Sequence, residues 1–324
     1  MGDKGLLEDR LENLEAEIRA LRAEATGSNS TLLSKNINQN LWLSENISNE
    51  LSLGGARFPT GQTDSSKVIC LLLRVRKDRI EYMNQLYAGF YMKLLIYYVH
   101  PDCGLMKSRH PNVTILCSMG HKYETNILEH LSLFEASYPD AQGLLIHHMD
   151  FWVHPRQLFL HGDSRRIWLL AQQHDTPIPK GRGYGHRCLT RAALVEEWVR
   201  PHWHWTEKAR VQALSDVIAV EKAFNISEAI DVCFNWIDLM YYPRGVWKDL
   251  DSIAPFFKGL FNEIAFPTII NILVVHMGHE KQIFDQCWGS CCSVTTDAKI
   301  FSSRVCGHKV NMTTRTVRKQ VMNI

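Results

Sequence analysis

Leu144-Leu-Ile-His-His-Met-Asp-Phe-Trp-Val153 is the stretch on which the reading of this chain turns. An apolar run with β-branched and aromatic content reads as a strand, and here it carries an acidic residue, Asp150, with imidazoles beside it. A carboxylate in a buried strand is costly unless something answers its charge, so Asp150 is expected to meet a partner or a cation. Taken as one strand over Gly143 to Val153, alternation sets His148 and Asp150 on one face and His147 and Met149 on the other. A divalent metal bridging a diphosphate prefers oxygen, which Asp150 supplies, and manganese accepts an imidazole such as His148. Two other readings stay open. Asp150 caps the strand end while the histidines make core hydrogen bonds, or His147, His148, Asp150 and His154 form a dinuclear hydrolase site. The second lacks the usual spacing of two histidines one residue apart followed by Asp-His.

Working outward, Val68-Ile-Cys-Leu-Leu-Leu-Arg-Val75 is a short continuous apolar run, as expected of a central strand covered on both faces. Asp78 starts a helix whose apolar face is Ile80, Met83, Leu86, Tyr87 and Phe90, and Lys93 to His100 follows as a second strand closed by Pro101. A third strand at Asn112 to Cys117 and a helix at about Glu124 to Ser137 lead into the strand quoted above. This alternation predicts an α/β fold with a mixed, mostly parallel sheet flanked by helices. Ligands in such sheets sit beyond the carboxyl ends of the strands. The segments to inspect are therefore Arg74 to Asp78, His100 to Cys103, Ser118 to Tyr123 and His148 to His154. Arg74, Arg76 and Lys77 are the diphosphate candidates by topology, against a simple solvated charge run.

Leu7, Leu11, Leu14, Ile18 and Leu21 alternate at four and three residues, the seam of a short coiled coil over 1–26 able to pair with another copy. A Ser-, Asn- and Gly-rich stem spans 27–66, the catalytic domain 67–285, and a cysteine-containing tail 286–324. Lys180-Gly-Arg-Gly-Tyr-Gly-His-Arg187 reads as a loop, either a lid or ordinary surface. The group Trp198, His202, Trp203, His204 and Trp205 could stack on sugars or pack around Pro201. His276 and His279 follow the last apolar helix, where His276 could bring a third ligand to the metal.

The formal charge is +2, from 36 basic and 34 acidic residues, so no global field points to nucleic acid. The apolar run Ile264 to Met277 is broken by Pro267 and is too short to cross a bilayer. No signal peptide or anchor is read at the N-terminus, which taken literally means cytoplasmic. Sequons at Asn29, Asn46, Asn112, Asn225 and Asn311, and nine cysteines, argue instead for the Golgi or ER lumen, with the anchor missing from this chain. Cys287, Cys291, Cys292 and Cys306 suit disulfides, plain buried thiols or, with His308, zinc.

Three segments in order carry a resemblance: the strand entering Asp150-Phe-Trp152, then Asp238-Leu-Met-Tyr-Tyr-Pro-Arg244, then Phe261-Asn-Glu-Ile-Ala-Phe-Pro267. Their pattern resembles the STELLO-type Golgi proteins, whose GT-A glycosyltransferase fold has an acidic strand end and similar later segments, over about residues 67 to 280. The resemblance implies sugar transfer from a nucleotide-sugar donor to a glycan or glycoprotein acceptor, with Mn2+ or Mg2+ at Asp150. Beside it, Asp238 and Arg244 bracket a strand ending at Tyr241-Tyr-Pro243 with charges able to meet sugar or phosphate, so Arg244 joins Trp152, Arg74 and Arg76 as donor-side candidates. Glu263, desolvated between Phe261 and Ile264, or Asp238 would assist the acceptor hydroxyl; a plain strand edge and a helix-capping or packing Glu are the other readings. Before Asp150 this chain has His148-Met149 and no second carboxylate. That departure favours an alternative, a catalytically weak nucleotide-sugar-binding protein that organises glycosyltransferases; a metal-dependent hydrolase is the third reading.

Overall fold

A computed structural model describes residues 65–98, 110–117, 131–170, 187–197, 206–234, 238–284, 287–288 and 306–308. The expected coiled coil, the stem up to residue 64, the loop 180–186, the tryptophan group at 198–205, the loops 100–103 and 118–123, and Cys291 and Cys292 lie outside the described residues.

The strands β1 (Val68–Leu73), β2 (Lys93–Tyr98), β3 (Val113–Cys117) and β4 (Gly143–His148) are linked by α1 (Ile80–Tyr87) between β1 and β2 and by α2 (Leu131–Ser137) before β4. They pair in parallel in the order β3-β2-β1-β4. All six residues of β1 are buried, because β1 has a strand on each side and helices on each face. Ile69, Leu71 and Leu73 join one core and Val68, Cys70 and Leu72 the other. The second core takes Ile80, Met83, Leu86 and Tyr87 from α1, as their spacing predicts.

The strand expected to run unbroken from Gly143 to Val153 does not. It turns at Met149-Asp150, and Phe151–Val153 forms a separate strand, β5. Two backbone bonds hold the break: the His148 N–H donates to the Asp238 carbonyl at 2.9 Å and the Met149 N–H to the Leu73 carbonyl at 3.1 Å. Beyond β5 come α3 (Pro155–His161) and β6 (Ile167–Leu170), then β7 (Arg187–Leu189), α4 (Arg191–Glu197), α5 (Glu207–Phe224) and β8 (Val232–Phe234). β9 (Leu239–Pro243), α6 (Trp247–Ile253), α7 (Asn262–Asn271) with a π turn at Ile272–His276, and β10 (Lys281–Phe284) follow. The main sheet reads β10-β6-β9-β4-β1-β2-β3, with β9 antiparallel to β4 and β6 and the other pairs parallel. Helices on both faces and a mostly parallel sheet are compatible with a GT-A-like fold.

The apolar run carrying Pro267 is a buried helix, as read, with Ile264 to Ile270 inside the core. Among the described residues no helix is long and apolar enough to cross a membrane. In the C-terminal segment read as a tail, β11 (Cys287–Trp288) pairs with β12 (Cys306–His308), and β12 runs antiparallel to β5. Cys287 and Cys306 form a disulfide there and belong to the second core, and Cys188 and Cys233 link β7 to β8. A zinc site that needs both Cys287 and Cys306 as thiolates is therefore not formed.

Candidate metal centre

Successive strands run from β1 out to β3 on one side, and the chain then returns to β4 on the other side of β1. This reversal opens a crevice at the carboxyl ends of β1 and β4, the usual ligand position in such sheets. Arg74 leaves β1 at that point and His148 ends β4 there. β9 enters from the opposite direction, so the residue before it, Asp238, arrives at the same edge.

His148, Asp150 and Asp238 converge, each half-buried, with one potential ligand atom from each within 4.8 Å of the others. His148 Nδ1 is hydrogen-bonded to Asp150 Oδ1. Alternation along one strand anticipates this pair, yet the turn at Met149-Asp150 is what makes the contact. Burial alone would push the His148 pKa down, but the hydrogen bond and charge of Asp150 and the charge of Asp238 outweigh burial and the nearby Arg74, and the result is a raised pKa. The raised pKa favours the charged ring, whose Nδ1 proton faces Asp150. Two carboxylates and one imidazole fit a divalent cation, and the nitrogen donor suits manganese better than magnesium. A cation taking up Nδ1 must displace that proton. Three protein ligands also leave coordination positions for phosphate oxygens.

Arg74 adopts φ 55°, a left-handed conformation uncommon for a residue with a Cβ, as the chain turns out of β1. Strained backbone of this kind gathers at functional sites. Beneath the turn, His147 is 1% exposed, and burial lowers its pKa to about 4. Its Nδ1 bonds the His148 carbonyl at 3.2 Å, so Nδ1 carries the proton, and its ring meets Tyr87 edge-on at 5.2 Å. The Tyr87 hydroxyl accepts the Val153 N–H at 3.2 Å, which ties α1 to both strands flanking the turn.

Other expected site residues lie elsewhere. Arg76 is exposed on the loop after β1 and pairs with Asp78 at 3.3 Å. Trp152 is 1% exposed, so its indole is core and has no face to offer a ligand. Arg244 sits at the opposite end of the sheet, where β9 ends beside the start of β4. Its guanidinium is engaged by the Tyr138 carbonyl at 3.2 Å, the Pro139 carbonyl at 2.6 Å and Glu135 at 3.1 Å. The five residues of β9 between those ends span about 17 Å, which sets Arg244 apart from the cluster. His276 precedes β10, whose first residue pairs with Ile167 at that same far end, and His276 is not in the cluster. Glu263 is half-buried in the first turn of α7, also outside the cluster. His154 caps α3, accepting the Gln157 N–H at 3.3 Å, and His147 is buried, so the four residues of the dinuclear reading do not converge. What sequence reasoning missed is that Asp238 supplies the second carboxylate absent from the Asp150 segment. The signal was an acidic residue directly before an apolar strand. The backbone of His308 pairs with Phe151, one residue from Asp150, and this contact had no sequence signal.

The chain matches no protein-family model and no curated protein. A solved structure, a glycosyltransferase involved in the glycosylation of the major capsid of PBCV-1, is similar at 10% identity and a TM-score of 0.33, covering 79% of this chain and 99% of that one. At that score the likeness carries no argument. Fold and site define an α/β protein with a candidate divalent-cation centre at the switch point of its sheet.

Proposed function

We propose that the chain is a glycosyltransferase that moves a sugar from a nucleotide-sugar donor to a hydroxyl of a glycan or glycoprotein acceptor. The observation that carries this reading is the convergence of His148, Asp150 and Asp238 beside Arg74 at the switch point, where sheets of this kind take nucleotides. His148, Asp150 and Asp238 would hold the cation, manganese in preference to magnesium, and the cation would supply positive charge to the diphosphate leaving group. Arg74 adds a positive charge on the β1 side, and Arg76 on the same loop is a second proposed phosphate contact. With Asp238 acting as a ligand, Glu263 is the proposed base for the acceptor hydroxyl. Arg244, Trp152 and His276 take no part. The disulfides Cys188–Cys233 and Cys287–Cys306 support an oxidising compartment such as the Golgi or ER lumen. Homo-oligomerisation through the coiled coil at 1–26 belongs to the same proposal.

The test is binding and turnover of a panel of nucleoside diphosphates and nucleotide-sugars, with manganese and with chelator, by the parent chain and Asp150→Ala. The expected result is manganese-dependent nucleotide binding with sugar release, both lost in the variant. Manganese-dependent binding without turnover on any donor would assign the chain to the organising role. If neither form binds nucleotide, the proposal fails.

A further inference from the structure

Two of the five sequons begin within the described residues, and the fold treats them differently. The Asn112 carbonyl accepts the Leu94 N–H at 2.8 Å, and Thr114 is paired in β3 with Leu95, so that sequon is drawn into the sheet. Asn225 caps the C-terminus of α5 in the left-handed conformation, φ 53° and ψ 40°, with its N–H and that of Ile226 both donating to the Glu221 carbonyl. Ile226 is half-buried and packs against the first core, which anchors the turn. Asn225, Ser227, Glu228 and Ala229 are exposed. The amide to be modified and the hydroxyl two residues on thus both face solvent on a turn whose backbone is fixed beneath them. The bland account of Asn225 is that asparagine tolerates this conformation at helix ends. That account explains Asn225 but not an exposed Ser227 at the one spacing that makes a sequon. The same connection leads into β8, where Cys233 is in disulfide linkage with Cys188, which places the segment in a chain suited to an oxidising lumen.

We propose that Asn225 is an N-glycosylation site, modified from a lipid-diphosphate-linked oligosaccharide in the secretory lumen. In that step the Asn225 side-chain nitrogen bonds to C1 of the oligosaccharide and the C1–O bond to diphosphate breaks. The lipid diphosphate leaves with the electron pair, and the amide proton passes to a base of the transferring enzyme. The glycan stands on the α5–β8 connection, on residues that take no part in the candidate metal centre, and the inference does not depend on the chain's own activity.

The test uses the full chain led into the lumen of cultured eukaryotic cells by an appended signal peptide. Trypsin releases Ala223–Arg244, in which Asn225 opens the sole sequon and Cys233 reports the disulfide through its link to the Cys188 peptide. After reduction, the expected result is that this peptide appears only after enzymatic deglycosylation, with aspartate at position 225. Ser227→Ala should abolish the modification and Ser227→Thr keep it. Asn225→Gly, which suits the left-handed backbone, should lose the glycan without loss of thermal stability. Recovery of the peptide with unmodified Asn225 as its main form, from chain in which Cys233 is linked to Cys188, overturns the proposal.

Discussion

Gly143→Ala probes the register that brings Asp238 to the candidate centre. Gly143 opens β4 opposite Pro243 of β9, and a methyl group there would lie 2.2 Å from the Tyr241 hydroxyl oxygen and 2.3 and 2.4 Å from two ring carbons. The ring cannot simply swing away: Tyr241 is fully buried, stacked on Trp168 at 4.1 Å, and its hydroxyl donates to the Ser164 carbonyl at 3.2 Å. Forcing a methyl into such a core costs about 1–3 kcal/mol, and losing the hydrogen bond about 1 more, for a total of about 2–4 kcal/mol. For a domain of this size that lowers Tm by about 5–15 °C. Thermal and urea unfolding followed by circular dichroism measure it. Tyr241→Ala alone should cost about 3–5 kcal/mol. In the double variant the methyl meets no ring, so the two costs should fall short of additivity by about 2–4 kcal/mol. A Tm for Gly143→Ala within about 2 °C of the parent, or full additivity in the double variant, would refute the packing argument.

The remaining expectations concern the site and the covalent links. Asp238→Asn should weaken manganese binding, measured by calorimetry, at least about tenfold; unchanged affinity would remove Asp238 from the centre. His147 stays neutral in the fold down to pH about 4, while in the unfolded chain it takes up a proton below its ordinary value near 6.5. The unfolded state therefore binds more protons in that window, and stability should fall as pH drops from about 6.5 to about 4, by at most about 1.4 kcal/mol per pH unit. In chelator, His147→Gln should flatten this dependence, and an unaltered slope would count against the buried neutral imidazole. The Cys188–Cys233 bridge closes a loop with a sequence separation of 45. Replacing both residues by serine should cost about 2–4 kcal/mol in denaturant unfolding, and no loss would mean the bridge does not constrain the unfolded chain.

The α/β class, the strands β1 to β4, the helix face of α1 and the buried helix around Pro267 were legible in the sequence, because continuous apolar runs and 3.6-residue spacing are local consequences of what each segment must bury. Asp150 was legible as an anomaly for the same reason, a charge at the end of an apolar strand. The composition of the centre was not legible. Whether His148-Met149-Asp150 continues a strand or turns depends on the Leu73 and Asp238 carbonyls, which come from distant segments and accept the backbone N–H groups at the break. Asp238 and Arg244 stand at the two ends of one five-residue strand and look alike in sequence. The antiparallel entry of β9 carries Asp238 to the carboxyl edge of the parallel strands and Arg244 to the other edge. Trp152 likewise passes from candidate ligand contact to core, in the cluster to which β12, returning from beyond residue 300 to pair with β5, adds Cys306. Strand direction and the pairing of remote segments are global properties. Local pattern shows which residues must be buried or satisfied, and only the assembled sheet decides which residues satisfy one another.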